Sequence, residues 1–282
     1  MYLSMLNVTL VTADSLAGTL FINTLVRGAV NIEKVLVVSS LRGSARECVT
    51  QGWHLFRRRS SSFLFYRYVV EDVLFRLFCE VDKSVHSIER VSREHCIPLR
   101  RIIDVNSPEC LSEFEGYRDK TKLVISAYGS QIFGNELIDK IDNFWNVHGS
   151  YLPYFRGAAP YFWMLMVEEY PRGVTLHRVL PELDQGPIIK QMIVNPEAND
   201  TLFFYHARCV LAAAGMIADV MKGIDDFGAV VAESQARASL TNKRRFGIPA
   251  SKDMQAFKNA EKRLFAWRDL RKVARLLESQ AP

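Results

Sequence analysis

The sequence predicts an α/β fold: a mostly parallel, twisted sheet flanked by helices, followed by a short C-terminal accessory element. Three observations predict it. Short β-branched apolar runs recur at residues 6–13, 34–39 and 122–128 with helix-prone stretches between them, the rhythm of parallel strands joined by helices. The chain has 282 residues, 49% apolar and 24% charged, which is long enough for a substantial core and too apolar for disorder. No GxGxxG follows the first run, which argues against a dinucleotide enzyme of the usual kind.

The elements follow in order. Residues 6–13 read as the first strand, and Ser15 is placed to cap a helix running to about Arg27. The N-terminus has neither a basic region nor a small-residue cleavage pattern, so it reads as strand rather than signal peptide. Residues 34–39 form a second buried strand. Between 42 and 82 stand Arg57, Arg58 and Arg59, then three serines, then a Phe/Tyr-rich stretch. This is a basic loop leading into a helix, either an anion-gathering lid or a solvated loop ahead of a core helix. The apolar run 63–79 is interrupted by Arg67, Glu71, Asp72 and Arg76, which excludes a bilayer span. The pairs Arg67–Glu71 and Asp72–Arg76 stand at i,i+4 and predict an amphipathic helix with paired charges.

Residues 97–103 and 122–128 follow as strands, Gly129 breaks the pattern, and 131–141 reads as helix. A strand over 144–147 ends at His148. Two more strands, 173–179 and 187–193, flank a turn at 182–186, and 202–224 is a long apolar-periodic helix containing Gly215. After Gly228 the texture changes to short strand-like pieces, a basic turn (Lys243, Arg244, Arg245), and a charged, helix-prone tail from Ser251. The boundary falls near residue 225.

Net charge is +5, a mild excess that suits an anionic ligand and does not demand nucleic acid. Five cysteines without a CxxC read as free thiols in a reducing compartment, with neither a disulfide framework nor a metal site expected.

The stretch 146–191 carries the chemistry. Asn146 and His148 stand two apart at a strand end, so strand geometry points both side chains to one side, where ligands bind in open α/β sheets. An amide donor beside an imidazole answers the needs of a developing oxyanion. Asp184, in a Leu-Asp-Gln-Gly turn, can hold the imidazole's charge and tautomer or relay a proton. Gly186 and Pro187 fix a tight backbone able to approach a planar ligand. Each residue has a plainer reading, Asn146 as a turn cap, His148 as a satisfied loop histidine, Asp184 as a turn former. Their occurrence together, with Pro153, Arg156, Gly157 and Pro160 between them, favours the chemical reading.

Asn-x-His-x-Ser-x-Leu-Pro (146–153), Arg-Gly-x-x-Pro-x-x-Trp (156–163), Gly-Val-Thr-x-His (173–177) and Leu-Asp-x-Gly-Pro-Ile (183–188) resemble the tetrahydrofolate-dependent formyltransferase family. The resemblance is dense over 123–191 and continuous from 6 to about 225. It implies a Rossmann-like formyltransferase domain over 1–225, with 226–282 as an accessory α/β extension. It also implies N10-formyltetrahydrofolate as co-substrate and direct transfer of its formyl group to an amine, without a metal. Carried over, Asn146 donates to the oxyanion, His148 is the general acid/base, and Asp184 supports the imidazole. Ala127, Tyr128, Gly129, Ser130 and Gln131, with Glu182, Leu183, Gln185 and Gly186, line the pterin slot. Ser150, Arg156 and Gly157 shape the entrance, and Thr175 and His177 stand behind the catalytic residues.

The motifs are most similar to those of enzymes acting on amino sugars attached to nucleotides and on methionyl-tRNA. A small-molecule amine, foremost a nucleotide-linked amino sugar, is therefore the expected acceptor. A hydroxyornithine or other natural-product amine and methionyl-tRNA are the alternatives. A non-catalytic folate-binding relative is the rival class, and a folate-independent binding module a third. The expected setting is cytoplasmic, with no membrane span and no nucleic-acid partner; a homodimer is one assembly this reading allows.

Overall fold

A computed structural model describes residues 6–39, 59–129, 131–222, 224, 226–235 and 245–279. Seven strands form its sheet: β1 (Asn7–Thr12), β2 (Ile32–Val38), β3 (Leu99–Ile102), β4 (Lys122–Ala127), β5 (Phe144–His148), β6 (Gly173–Arg178) and β7 (Ile188–Ile193), in the order β3-β2-β1-β4-β5-β6-β7. The apolar β-branched runs of β1 and β4 are buried on both faces because helices cover both sides of the sheet centre. Pairing is parallel from β3 through β5 and antiparallel from β5 through β7, so the sheet is mixed rather than wholly parallel. The strand order turns about β1 and β4, and the crevice at their carboxyl ends is the expected ligand position of such a sheet.

The helices are α1 (Leu16–Arg27), α2, α3 (Ile88–Glu94), α4 (Pro108–Ser112), α5 (Asn135–Asp139), α6 (Pro160–Met166), α7 (Leu202–Met221), α8 (Ser251–Asn259) and α9 (Arg268–Glu278). Ser15 caps α1 as the sequence predicts, accepting from Gly18 N. Helix α2 is continuous but irregular: an α-helical turn at Ser61–Phe65, a π-helical stretch at Tyr66–Leu74, and α-helix again at Phe75–Val81. Helix α7 is the central pillar, with both ends of its apolar stripe buried against α1, α6 and the sheet. By length and composition alone it is apolar enough to cross a membrane, yet 67% of its most apolar window is buried inside the fold.

Two local expectations change. The helix predicted over 131–141 shrinks to Asn135–Asp139, because Gln131 is spent on loop contacts: its Nε2 donates to the carbonyls of Ser39 and Ile103, at 2.9 and 2.7 Å. Asp72 pairs with Arg67 at 2.6 Å rather than with Arg76, which reaches across to Asp14 at 2.9 Å. The predicted Arg67–Glu71 pair forms at 3.2 Å, and the wider π-helical turn also brings Asp72, five residues on, within reach of Arg67. Helices α3, α4 and α6 have too few residues to leave a periodic signal in the sequence. Arg57, Arg58, Lys243 and Arg244, on which the basic-loop and basic-turn readings fall, lie outside the described residues.

Beyond residue 226 the described chain returns to the sheet domain. Phe246, Met254, Phe257, Leu270, Val273 and Leu277 are buried in the same hydrophobic core as β1, α1 and α7. Glu233 forms an antiparallel bridge to Ile188, and Phe246 a parallel bridge to Gly157.

Candidate active site

Asn146 and His148 lie on β5, where the alternation of the strand turns both toward the same side. Opposite them on β6 stand His177 and Thr175, in register with Asn146 and His148 respectively. A cleft of about 490 Å³ opens at this edge, and Asn146, His148, His177 and Asp184 are all part of its wall.

The amide of Asn146 is held by His177. Nδ1 of His177 lies 2.8 Å from the carbonyl of Arg178 and donates to it, so Nε2 carries the lone pair. That lone pair accepts one N–H of Asn146 Nδ2 at 3.1 Å, which aims the amide and leaves its second N–H unspent. His177 must stay neutral for this arrangement. Burial, and after it the nearby His148 imidazole, lower its pKa from 6.5 to about 4.

His148 is 8% exposed; its Nδ1 lies 3.6 Å from Asp184 Oδ1, within ion-pair range but beyond a hydrogen bond. Asp184 sits in the left-handed region at φ 58°, an uncommon conformation for a residue with a side chain. Its turn is fixed from two directions. Gln235 Nε2 donates to the carbonyls of both Asp184 and Gly186, at 3.0 and 2.9 Å. Gly186 packs so closely on β6 that a Cβ there would lie 1.7 Å from the Arg178 carbonyl oxygen.

The loop after His148 is governed by Thr175. Its buried hydroxyl donates to the Ser150 carbonyl at 2.8 Å and accepts from Leu152 N and Gln191 Nε2, both at 2.9 Å. Gln191 also donates to the Leu152 carbonyl at 2.8 Å, and the Ser150 hydroxyl to that of Tyr154 at 2.8 Å. Ser150 and Thr175 therefore shape the loop from behind and do not reach the cleft. Gly157, at φ 107°, does line it; a Cβ there would lie 2.4 Å from the Phe246 carbonyl oxygen. Arg156 is buried with Nε and Nη2 unpartnered, and burial lowers its pKa against the attraction of Asp184.

Of the residues expected in the pterin slot, Tyr128, Gly129, Gln131, Glu182 and Leu183 line the cleft. Ala127, Gln185 and Gly186 stand behind it, and Ser130 lies outside the described residues. This end of the cleft is walled by Ile132, Phe133, Ile138, Val179, Leu180 and Leu183. Ile132, Leu180 and Leu183 are 62%, 42% and 38% exposed, an apolar lip that a flat heteroaromatic ring would cover. Sequence reasoning passed over Gln191 and Gln235, which hold the loop and the turn. It also passed over the opposite end of the cleft, formed by Phe63, Arg67, Tyr68, Tyr161 and His206. Among the described residues no group of His, Cys, Asp and Glu is arranged to hold a metal ion.

An amide and an imidazole at a strand end, a carboxylate returned to them by a distant turn, and an apolar slot alongside are the parts of an acyl-transfer site. Residues 107–221, which include all three, match the family described as formyl transferase. This segment is a formyl transferase domain and the chain a formyl-transferring enzyme; the donor that family uses is N10-formyltetrahydrofolate. Solved structures share the fold. A sugar 3N-formyltransferase, WlaRD, determined with dTDP and 5-N-formyl-THF, is 18% identical with a TM-score of 0.54, over 88% of this chain and 71% of that one. A sugar N-formyltransferase from Shewanella sp FDAARGOS_354 is 16% identical with a TM-score of 0.52, over 97% of this chain and 87% of that one. Phosphoribosylglycinamide formyltransferase from Streptococcus pneumoniae TIGR4 is 18% identical with a TM-score of 0.51, over 77% of this chain and 98% of that one.

Proposed function

We propose that this enzyme moves the formyl group of N10-formyltetrahydrofolate directly onto the amine of a nucleotide-linked amino sugar, in the cytoplasm. The observation that carries the transfer step is the convergence of Asn146, His148 and Asp184 on one cleft whose neighbouring end is an apolar slot. The donor supplies an activated formyl carbon. Asn146, aimed by neutral His177, has one N–H free to donate to the formyl oxygen as charge develops there. His148 exchanges a proton with the leaving N10, and Asp184, 3.6 Å from Nδ1, steadies the imidazolium while it is charged. The slot between the 128–133 loop and the 179–183 segment takes the pterin, and Gly186 and Gln235 hold its floor in shape.

Support for the sugar acceptor comes from extent. The Shewanella sugar N-formyltransferase aligns with 97% of this chain, including the extension past 226, whereas the phosphoribosylglycinamide enzyme aligns with 77%. The test is to incubate the protein with N10-formyltetrahydrofolate and follow tetrahydrofolate release with no amine and with a panel of nucleotide-linked amino sugars. Release that needs an amino sugar supports the reading. Release without any amine marks a hydrolase, and release only with glycinamide ribonucleotide or methionyl-tRNA overturns the acceptor.

A further inference from the structure

The end of the cleft away from the folate slot holds a buried charge cluster that the chemistry above does not use. Glu71, from the π-helical stretch of α2, is 0% exposed; His206, from α7, is 2% exposed. Nδ1 of His206 lies 2.8 Å from Glu71 Oε1, so the imidazole donates there and its Nε2 carries the lone pair. That Nε2 is buried and has no partner, although His206 is part of the cleft wall. Tyr161 stacks on the imidazole with ring centroids 3.6 Å apart, and Tyr128 meets it edge-on at 6.0 Å. The carboxylate is held by one hydrogen bond and one ion pair: Tyr66 Oη donates to Glu71 Oε1 at 2.6 Å, and Arg67 lies in ion-pair range, 3.2 Å from Oε2, and 2.6 Å from Asp72.

Two features set this apart from a cluster that serves only packing. The charge count is uneven: Glu71 and Asp72 against Arg67 leave one negative charge, which a proton on His206 would cancel. Tyr66 and Glu71 stand five apart, as do Arg67 and Asp72, a spacing that an α-helix turns to different faces; the π-helical turn of α2 brings each pair within bonding reach, and such turns recur at functional sites.

We infer that the Glu71–His206 pair is a second acid–base centre of the cleft, whose Nε2 takes the proton that the acceptor ammonium must lose before its nitrogen can attack. This rests on the reading that the acceptor is an amine. A primary alkyl amine is an ammonium near neutral pH, with no lone pair to offer. Its first proton passes to His206, directly or through one water, and the imidazolium is held by Glu71. The freed nitrogen forms the new bond to the formyl carbon, and its second proton travels by His148 to N10 as the carbon–N10 bond breaks. The products are a formamide, tetrahydrofolate and one proton, which His206 returns to solvent when the cleft empties. The two steps thus have separate bases, one at each side of the reacting carbon. The titratable groups around the Glu71–His206 pair are Tyr66 and Arg67 from α2, with Asp72 paired to Arg67, Tyr128 after β4 and Tyr161 of α6.

The experiment measures formyl transfer to an amino-sugar nucleotide by wild type, His206→Gln and Glu71→Gln near pH 7 and at about pH 9.5, where the amine begins to free itself. General-base removal predicts a loss on the order of 10²–10³-fold near pH 7 for His206→Gln. That loss should shrink to about tenfold or less at the higher pH. Glu71→Gln, which keeps the shape of the pair, should show a smaller loss with the same recovery. If His206→Gln fails to fold, Glu71→Gln alone decides by the same pH comparison. A deficit equal at both pH values, in an otherwise active enzyme, overturns this inference and leaves the proposed function standing. A wild-type protein that binds folate but transfers to no amine overturns the proposed function and this inference with it.

Discussion

Replacing Gly186 with alanine tests whether the Asp184 turn must sit where it does. The added Cβ would lie 1.7 Å from the Arg178 carbonyl oxygen, where contacts under 3.0 Å do not occur, so the turn has to retreat by at least about 1.3 Å (3.0 − 1.7). The carbonyl belongs to β6 and cannot yield without disturbing His177, whose Nδ1 is bound to the same oxygen at 2.8 Å. The displacement therefore falls on Asp184, already at 3.6 Å from His148, and on the Gln235 contact at its back. A misplacement of about 1 Å in a reacting constellation costs on the order of 10²-fold in rate, or about 2.7 kcal/mol of barrier. The assay is steady-state tetrahydrofolate release with a saturating amine, beside a thermal melt to show that the variant is folded. Gln235→Ala, which frees the turn without pushing it, should lose roughly tenfold. A folded Gly186→Ala enzyme with kcat within about threefold of wild type would show that the turn need not be tight, and the assignment of Asp184 would fall with it.

Three further outcomes follow from the same geometry. Asn146→Ala removes the oxyanion donor and should lower kcat by about 10²–10³-fold while leaving the melting temperature within a few degrees, as read by kinetics and calorimetry. His177 is neutral in the fold with a pKa of about 4 against an ordinary 6.5, chiefly through burial. Between those values the unfolded chain binds a proton that the native state refuses, so stability falls as pH drops from 6.5 to 4, by about 3 kcal/mol from this group. Urea unfolding at about pH 7 and pH 4.5 should show a shallower acid loss for His177→Gln than for wild type; parallel curves would contradict it. Thr175→Val strands Leu152 N and the Ser150 carbonyl and takes one of the two acceptors of Gln191 Nε2, and should cost about 2–4 kcal/mol of stability, with slower turnover measured on the folded fraction.

The parts of the fold that were legible in the sequence are those where one physical signal dominates. The strands β1, β2 and β4 announce themselves by buried β-branched runs, and Ser15 by its capping position. The antiparallel turn of β6 and β7 was not legible, because both pairing directions accept the same alternation of side chains. The site divides in the same way. Asn146, His148 and Asp184 could be singled out because their chemistry is scarce and their spacing patterned. Gln191 and Gln235 could not, since a glutamine that binds carbonyls looks in sequence like any surface amide. Glu71 and His206 were hidden differently. The stretch around Glu71 read as an amphipathic helix with paired charges, and nothing in that pattern points to a histidine more than a hundred positions away.

The residues past 226 bear on what the catalytic residues require of the rest of the chain. Gln235 binds the turn that carries Asp184, Glu233 bridges Ile188 just beyond it, and Phe246 bonds to Arg156 and Ala158 across the left-handed Gly157. Two loops that border the cleft are thus tied from the same distant segment, while their own helix and strand anchor only one end of each. Buried backbone groups demand partners, and here the extension supplies them where the sheet domain alone would leave the Asp184 and Gly186 carbonyls unmet. The geometry at His148 is therefore a property of the whole chain, and the extension's own apolar side chains, such as Phe257 and Leu277, are fixed by the same core that fixes α7. Helix α7 in turn carries His206 to the far wall. The position of the proposed acceptor base and the position of Asp184 depend on one packed core, so loosening that core should move both ends of the cleft together.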